Sequence, residues 1–216
     1  RQRQMCIRDS LYNYQVYKVI HLKPDIFHTM TVNLLYTIFH KLQFHKVNTH
    51  ILFLFEYPAF LHSELLFLLG KYFQYDAVIE RFENNGIDLK KYRSVMVSEY
   101  IYDMNVVMSA ADLVVCRAGA STLSELTALG KPSILVPSPY VTANHQEHNA
   151  RAIEKEGGAR VILENEFTAE VLNRNIESLV SSKEKLKNMR RAAKSVGTTA
   201  ATEEIYREAK RLVKNN

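Results

Sequence analysis

One stretch of the sequence, residues 111–137 (ADLVVCRAGASTLSELTALGKPSILVP), constrains the fold more than any other part. Its apolar run Leu113–Cys116 is typical of a strand that is buried on both faces of a parallel sheet. A turn at Gly119 ends this run, a helix opens at Ser121, and Gly130 closes the helix before a second apolar strand. Because a helix that begins just beyond a strand end exposes free backbone N–H groups and a positive dipole, the stretch predicts an anion site, above all for phosphate.

The start of this helix also has a purely structural interpretation. The letters TLSE match a capping box, in which Thr122 caps an amide of the first turn and Glu125 reaches back to the cap amide. Gly119 would then only supply a turn with positive φ. Spacing alone leaves the anion site and the capping box equally open.

The chain after residue 70 reads as alternating strands and helices. Apolar runs predict strands at residues 95–97, 113–116, 133–136 and 161–163. Helical periodicity and end signals predict helices at residues 75–84, 103–110, 121–129, 146–156, 167–180, 183–196 and 199–214. This alternation implies an α/β fold with a doubly wound parallel sheet, which binds ligands at the carboxyl ends of its strands.

The first 70 residues differ from the rest in composition. The first glycine is Gly70, and six of the eight histidines precede it. Because an α/β nucleotide-binding domain needs glycine turns, we expect residues 1–70 to be an atypical segment, artefactual, truncated or poorly ordered, before a domain at residues 71–216. A frameshift or a chimeric assembly would produce such a segment. Its most apolar window, residues 51–69, carries two glutamates and a proline, which disfavours a membrane-spanning helix.

The net charge and the cysteine and histidine content limit the kinds of partner, compartment and cofactor that are expected. The net charge of +5 suits an anionic partner such as a nucleotide or a phospholipid surface. No basic run is interleaved with aromatic residues, so no nucleic acid is expected. Of the two cysteines, Cys116 lies in a predicted core strand, which argues against a disulfide with Cys6 and favours a reducing compartment. His145 and His148 lack a third ligand at metal-binding spacing, so neither a metal nor a cofactor is expected.

Two segments carry a family resemblance, CRAGASTLSELTALGKPSILVPSP from Cys116 and NHQEHNA from Asn144. They resemble the donor-binding signature of the MurG glycosyltransferases, which transfer N-acetylglucosamine from UDP-N-acetylglucosamine to lipid I and so form lipid II for peptidoglycan. The resemblance runs from about Lys71 to the end of the sequence. It implies a Rossmann-like domain, the C-terminal half of an inverting hexosyltransferase of GT-B architecture.

The resemblance also implies where the donor binds. It assigns ten contacts in three groups: Gly119, Ala120, Ser121 and Thr122 at the diphosphate with Glu125 at the ribose; Tyr100, Ile101 and Met104 at the uracil; Gln146 and Asn149 at the N-acetylglucosamine. At the residue level, a Tyr and an Ile at a strand end could equally well only pack. Arg117 could neutralise phosphate or pair with a carboxylate along the sheet edge.

The partners implied are UDP-N-acetylglucosamine, lipid I, and peripheral contact with the cytoplasmic side of the bacterial cell membrane. In MurG proteins two glycine-rich loops and a catalytic histidine precede the donor-binding half, and residues 1–70 match none of them. The catalytic residue is therefore unknown, and the chain is expected to bind donor weakly without turnover. Alternatives are another GT-B glycosyltransferase that uses a UDP-sugar, a UDP-N-acetylglucosamine epimerase, or a nucleotide-binding module without catalysis.

Overall fold

The computed structural model describes residues 101–214, the strands Leu52–Tyr57, Ser63–Leu68 and Met96–Ser98, and five positions between residues 79 and 88. Most of the helix predicted at residues 75–84 lies outside the described residues, as does Tyr100. The described elements form one sheet with helices, which confirms the predicted α/β class.

Six strands form the sheet: β1 (Leu52–Tyr57), β2 (Ser63–Leu68), β3 (Met96–Ser98), β4 (Leu113–Cys116), β5 (Ser133–Leu135) and β6 (Ala159–Val161). Their order is β3-β1-β2-β4-β5-β6. Neighbours from β2 to β6 pair in parallel, whereas β1 is antiparallel to both β2 and β3. Only residues 58–62 separate β1 from β2, too few for the crossover that a parallel pair needs. All strands except β1 therefore run in one direction and end at the same edge.

The sheet crosses the domain boundary predicted from composition. β1 and β2 lie before residue 71, and β2 pairs with β4 over Leu65–Leu68 and Leu113–Cys116. The division at residue 70 stays a prediction, which proteolysis can decide.

Between residues 101 and 214, all of which the structure describes, lie six helices: α1 (Met104–Ala110), α2 (Ala120–Leu129), α3 (His145–Lys155), α4 (Ala169–Val180), α5 (Lys183–Val196) and α6 (Ala201–Lys214). In two of these helices, the hydroxyl group of the residue before the helix caps the first turn. The Thr168 hydroxyl accepts from the Val171 N–H (3.2 Å), and the Ser182 hydroxyl accepts from the Lys185 N–H (3.3 Å). Asp103 occupies the cap position of α1, but its side chain makes no capping bond. Most helix bounds lie within two residues of the predicted ones, and β6 begins two residues early.

The core is built around β4. All four of its residues are buried, as the apolar run predicts for a strand covered on both faces. Leu126, Leu135, Ile153 and Val161 complete an apolar cluster that joins α2, β5, α3 and β6 to this strand. Burial raises the pKa of the Cys116 thiol to about 12, so the thiol stays protonated and unreactive at neutral pH. This cluster forms a rigid base beneath the strand ends.

The end of α2 is set by Gly130. Its φ of 64° is left-handed, and the N–H groups of Gly130 and Lys131 donate back to the carbonyls of Thr127 (3.0 Å) and Leu126 (2.8 Å). The buried Lys131 ammonium then donates to the carbonyls of Ser109 (2.6 Å) and Ala111 (2.9 Å), at the negative end of α1. The turn therefore ties α2, β5 and α1 together.

The last helix, α6, is amphipathic but uncovered. All of its side chains from Ala201 to Val213 are exposed, including the apolar residues Ile205 and Leu212. Among the helices that the structure describes, none combines the length and apolarity that crossing a membrane requires.

Candidate functional site

The turn from β4 into α2 forms the centre of the candidate site. Gly119 caps α2 with its backbone in an extended conformation (φ −68°, ψ 142°), and its carbonyl accepts the first helical hydrogen bond from Leu123 (2.9 Å). The amides of Ala120, Ser121 and Thr122 therefore have no carbonyl inside the helix to donate to. Three N–H groups and the positive end of the helix dipole meet at this point, as an anion requires.

The capping-box interpretation is wrong. The helix begins at Ala120, so Thr122 is its third residue rather than its cap, and the cap residue offers no side-chain bond. Glu125 lies in the second turn with an exposed side chain, and its carboxylate makes no hydrogen bond to any other described residue. The capping box does not form because the turn after Cys116 is short. The Gly119 carbonyl therefore already accepts the first helical hydrogen bond, and the helix begins before Thr122. Glu125 is therefore available to a ligand.

The positive φ suggested for Gly119 is wrong as well. Its φ of −68° is open to any residue, and an added Cβ would meet no atom nearer than Thr122 Oγ1 at 4.0 Å. The fold itself therefore does not require a glycine at this position. A Cβ would instead extend into the open space before the three free amides, which is where a bound anion would approach the backbone.

Ile101 and Met104 connect β3 with α1. The Ile101 side chain is 7% exposed and belongs to the same apolar cluster as Ala118 and Leu123. Met104 is the first residue of α1 and packs against that cluster. Only the backbone of Ile101 is therefore available to a ligand. The neighbouring Tyr102 is 88% exposed.

Gln146 and Asn149 lie on one face of α3, at i and i+3. Both are half-buried, and the Ser138 N–H donates to Gln146 Oε1 (2.9 Å). Because a backbone N–H can only donate, this bond determines which end of the carboxamide faces Ser138. The Gln146 amide nitrogen, with two N–H donors, points to the other side. Sequence spacing contains no signal for this contact with the β5 loop, the segment at residues 136–144 that joins β5 to α3.

The loop before α3 is strained and locally braced. Ala143 (φ 54°) and Asn144 (φ 50°) are left-handed although neither is glycine. Asn144 donates to Glu147 Oε2 (2.6 Å), and His145 Nδ1 lies 2.9 Å from the Thr142 carbonyl oxygen. These contacts hold the first turn of α3 at a defined angle to the β5 loop.

Arg117 follows β4 and pairs with a carboxylate, one of its two predicted roles. Its Nη1 forms an ion pair with Glu164 Oε2 and donates to the carbonyls of Val136 (3.1 Å) and Pro137 (3.4 Å). The carboxyl ends of three neighbouring strands are thereby joined. Pairing between residues so far apart in sequence leaves no local signal.

The parallel strands bring these groups to one edge of the sheet. The α2 N-terminus, the β5 loop and α3 follow adjacent strands, and α2 contacts α3. Ile101 follows β3, which runs in the same direction but lies beyond β1 and β2 in the order. In the described part of the chain, no group of three or more His, Cys, Asp or Glu side chains could hold a metal.

Comparison with known proteins identifies the family to which these residues belong. The family model described as the glycosyltransferase family 28 C-terminal domain matches residues 46–209. A UDP-N-acetylglucosamine–N-acetylmuramyl-(pentapeptide) pyrophosphoryl-undecaprenol N-acetylglucosamine transferase from Acetivibrio thermocellus is 52% identical over 142 residues, covering 66% of this chain and 37% of the relative. The transferase 1 of the same name from Bacillus cereus is 44% identical over 151 residues, covering 70% and 40%.

Among solved structures, the crystal structure of MurG from Acinetobacter baumannii superposes with a TM-score of 0.55 at 27% sequence identity. The match covers 65% of this chain and 41% of that one. The chain thus spans well under half the length of the relatives that it matches.

Proposed function

The chain belongs to the family of glycosyltransferase family 28 C-terminal domains, and we propose on this premise that it is the donor-binding half of an inverting N-acetylglucosaminyltransferase. The donor is UDP-N-acetylglucosamine, and the acceptor is lipid I, as in the transferases that the chain resembles. The product is lipid II for peptidoglycan synthesis.

The observation that carries the proposal is the start of α2, where the first backbone N–H groups have no acceptor within the helix. Three amides lack helical acceptors there, and the glycine before them serves no conformational or packing need of the fold. Both features suit a diphosphate that lies against the backbone. As the glycosidic bond breaks, negative charge builds on the departing diphosphate. The amides of Ala120, Ser121 and Thr122 and the helix dipole would stabilise that charge.

The remaining contacts are those that the resemblance to the MurG family implies. Glu125 accepts hydrogen bonds from two ribose hydroxyls, since its carboxylate is exposed and makes no bond to the described residues. The Ile101 backbone pairs with the edge of the uracil, with Tyr100 against the base and Met104 nearby. Gln146 and Asn149 contact the N-acetylglucosamine, Gln146 through the amide N–H groups that its bond to Ser138 leaves free.

The acceptor side lies outside this chain's donor site. An N-terminal domain, of the kind that the resemblance to MurG implies, would bind lipid I and supply the general base that activates its hydroxyl. Because this acceptor is linked to a lipid, the enzyme would act peripherally at the cytoplasmic face of the bacterial membrane. The 216-residue chain is therefore expected to bind donor and to catalyse no measurable transfer alone.

Isothermal calorimetry of this chain with UDP, UDP-N-acetylglucosamine, UMP and ADP tests the proposal. We expect UDP to bind more tightly than UMP, because only the diphosphate reaches all three amides. It should also bind more tightly than ADP, because a purine is too large for a pocket that reads one backbone edge. Equal affinity for UDP and ADP would contradict the uracil site, and binding of neither UDP nor its sugar would overturn the proposal.

The variant Gly119→Ser separates a ligand cradle from a structural turn. A serine hydroxyl is a better helix cap than glycine and can bond to one of the free amides, so the melting temperature should stay level or rise. The same side chain fills the approach to the amides, so UDP affinity should fall by roughly tenfold or more, at about 1.4 kcal/mol per tenfold. Ser124→Ala, one turn further along α2, is the matched control and should change neither quantity. Unchanged UDP binding by Gly119→Ser would remove this turn from the site.

A further inference from the structure

The strongest feature outside the assigned donor contacts is the linkage centred on Arg117. Its side chain and that of Glu164 are 21% and 24% exposed, so water screens their ion pair only in part. The two N–H groups of Arg117 Nη1 are shared among the Glu164 carboxylate and the carbonyls of Val136 (3.1 Å) and Pro137 (3.4 Å), so the positive charge lies beside two consecutive peptide units. One residue thus sets the spacing of three loops at the site edge.

One of these carbonyls leads directly to Gln146. The Pro137 C=O and the Ser138 N–H belong to a single planar peptide unit and point in opposite directions. Arg117 holds the oxygen end at 3.4 Å, and the N–H end donates to Gln146 Oε1 at 2.9 Å. A cation beside the carbonyl polarises the peptide and strengthens its N–H as a donor, because hydrogen bonds in a chain reinforce one another.

We propose that Arg117, held by Glu164, is a positioning residue that fixes the orientation of the Gln146 carboxamide and so helps determine sugar recognition. The inference rests on the proposed function, in which Gln146 contacts the sugar. Because Gln146 Oε1 accepts the hydrogen bond from Ser138, the side chain presents its N–H donors to the ligand. The sugar atom that Gln146 contacts must therefore be an acceptor oxygen. Arg117 therefore acts on the sugar without touching the diphosphate.

Arg117 could instead contact the phosphate or stabilise the fold in general. The positioning role differs from both because loss of Arg117 should leave the affinity for UDP unchanged. A direct phosphate contact by Arg117 would make its loss weaken UDP and UDP-N-acetylglucosamine alike. A general stabilising role would lower the melting temperature and weaken both ligands together. Positioning through Gln146 lowers only the affinity for the sugar nucleotide relative to UDP.

The test is calorimetry of the 216-residue chain with UDP and with UDP-N-acetylglucosamine, for the parent, Arg117→Lys, Gln146→Ala and the double variant. Lysine keeps the charge, but its ammonium ends one bond short of the Nη1 position, so it should not reach all the acceptors that Arg117 joins. We expect Arg117→Lys to lower the ratio of UDP-N-acetylglucosamine affinity to UDP affinity about three- to tenfold, the value of one hydrogen bond, with UDP affinity unchanged. Gln146→Ala should lower the ratio similarly, and the double variant should add nothing further.

Each other outcome is decisive. Equal weakening of both ligands by Arg117→Lys, an unchanged ratio, or additive effects in the double variant would overturn the positioning role while leaving the proposed function intact. If the parent binds neither ligand, or if Gln146→Ala leaves the ratio unchanged, it is the proposed sugar site that fails. Should Arg117→Lys fold poorly, Glu164→Gln loosens the same linkage with little change in volume. It should shift the ratio in the same direction.

Discussion

Glu125 shows how a single exposed carboxylate can be tested for a ligand. It occupies the sixth position of α2, and its carboxylate makes no hydrogen bond to another described residue and caps no helix. If it accepts from two ribose hydroxyls, Glu125→Gln removes the charge from both bonds and should weaken UDP binding by about tenfold to a hundredfold. The melting temperature should hardly change, because the side chain is exposed.

The ligand 2′-deoxy-UDP sharpens this experiment. It lacks one of the two hydroxyls, so Glu125→Gln should cost it less affinity than it costs UDP. Glu184→Gln, at an exposed glutamate in the first turn of α5, is the control for the change of charge and should leave both affinities unchanged. Equal losses for the two ligands would show that Glu125 acts on something other than the ribose.

Cys116 makes a second prediction at the residue scale, on stability against pH. Its thiol has a folded pKa of about 12 against 9.0 for an ordinary thiol, because burial disfavours the thiolate. Above pH 9 the unfolded chain therefore releases a proton that the folded chain keeps. This contribution to stability is complete below pH 9 and is lost as the pH rises, by about 1.4 kcal/mol per pH unit.

Urea unfolding between pH 8 and pH 10.5 measures this loss. The comparison is between the Cys6→Ser chain and the Cys6→Ser/Cys116→Ala chain, so that lysine and tyrosine titrations cancel. The free energies of unfolding should converge as the pH rises. Parallel curves would mean that the Cys116 thiol is not buried in the folded protein.

At the scale of the elements, α2 has opposite requirements at its two glycines. Gly130 needs its left-handed φ, and an added Cβ would come within 3.1 Å of the Arg190 carbonyl oxygen and 3.0 Å of Lys194 Cβ. Gly130→Ala should therefore destabilise the protein by about 1–3 kcal/mol, from backbone strain and from displacement of α5. Gly119→Ala, with an ordinary φ and open space, should stay within about 1 kcal/mol of the parent.

Thermal melts of the two alanine variants give the comparison directly. At about 2–4 °C per kcal/mol for a chain of this size, the Gly130→Ala shift is easily measured. Similar melting temperatures for both variants would show that the turn between α2 and β5 does not pack against α5 as described.

At the scale of the whole molecule, the composition change at Gly70 predicts a boundary in stability. The glycine-free segment before it should be cleaved first, and residues 71–216 should persist as a protease-resistant core. Limited proteolysis with N-terminal sequencing of the resistant fragment tests this. A fragment that begins before Leu52 would contradict the boundary, because it would retain β1 and β2 in the sheet beside β4.

The sequence alone predicted those features of the fold that depend on a few neighbouring residues. The apolar run Leu113–Cys116 specified a buried strand, and Gly130 specified a helix end, because chain periodicity and backbone freedom act over a few residues. The bounds of α5, residues 183–196, were correct because the Ser182 cap and the amphipathic pattern agree. The α/β class followed from the alternation of such elements.

Only the tertiary structure determined the features that depend on contacts between residues far apart in the sequence. Pairing with β5 places β6 at Ala159–Val161 rather than at the more apolar residues 161–163, because the register is set by the ladder. Glu164 is 47 residues from the Arg117 that it holds. The orientation of Gln146 depends on a peptide in another loop. The capping box failed for the same reason: the letters TLSE specify a cap only where the chain has not already begun its helix, and the turn after β4 begins it at Ala120.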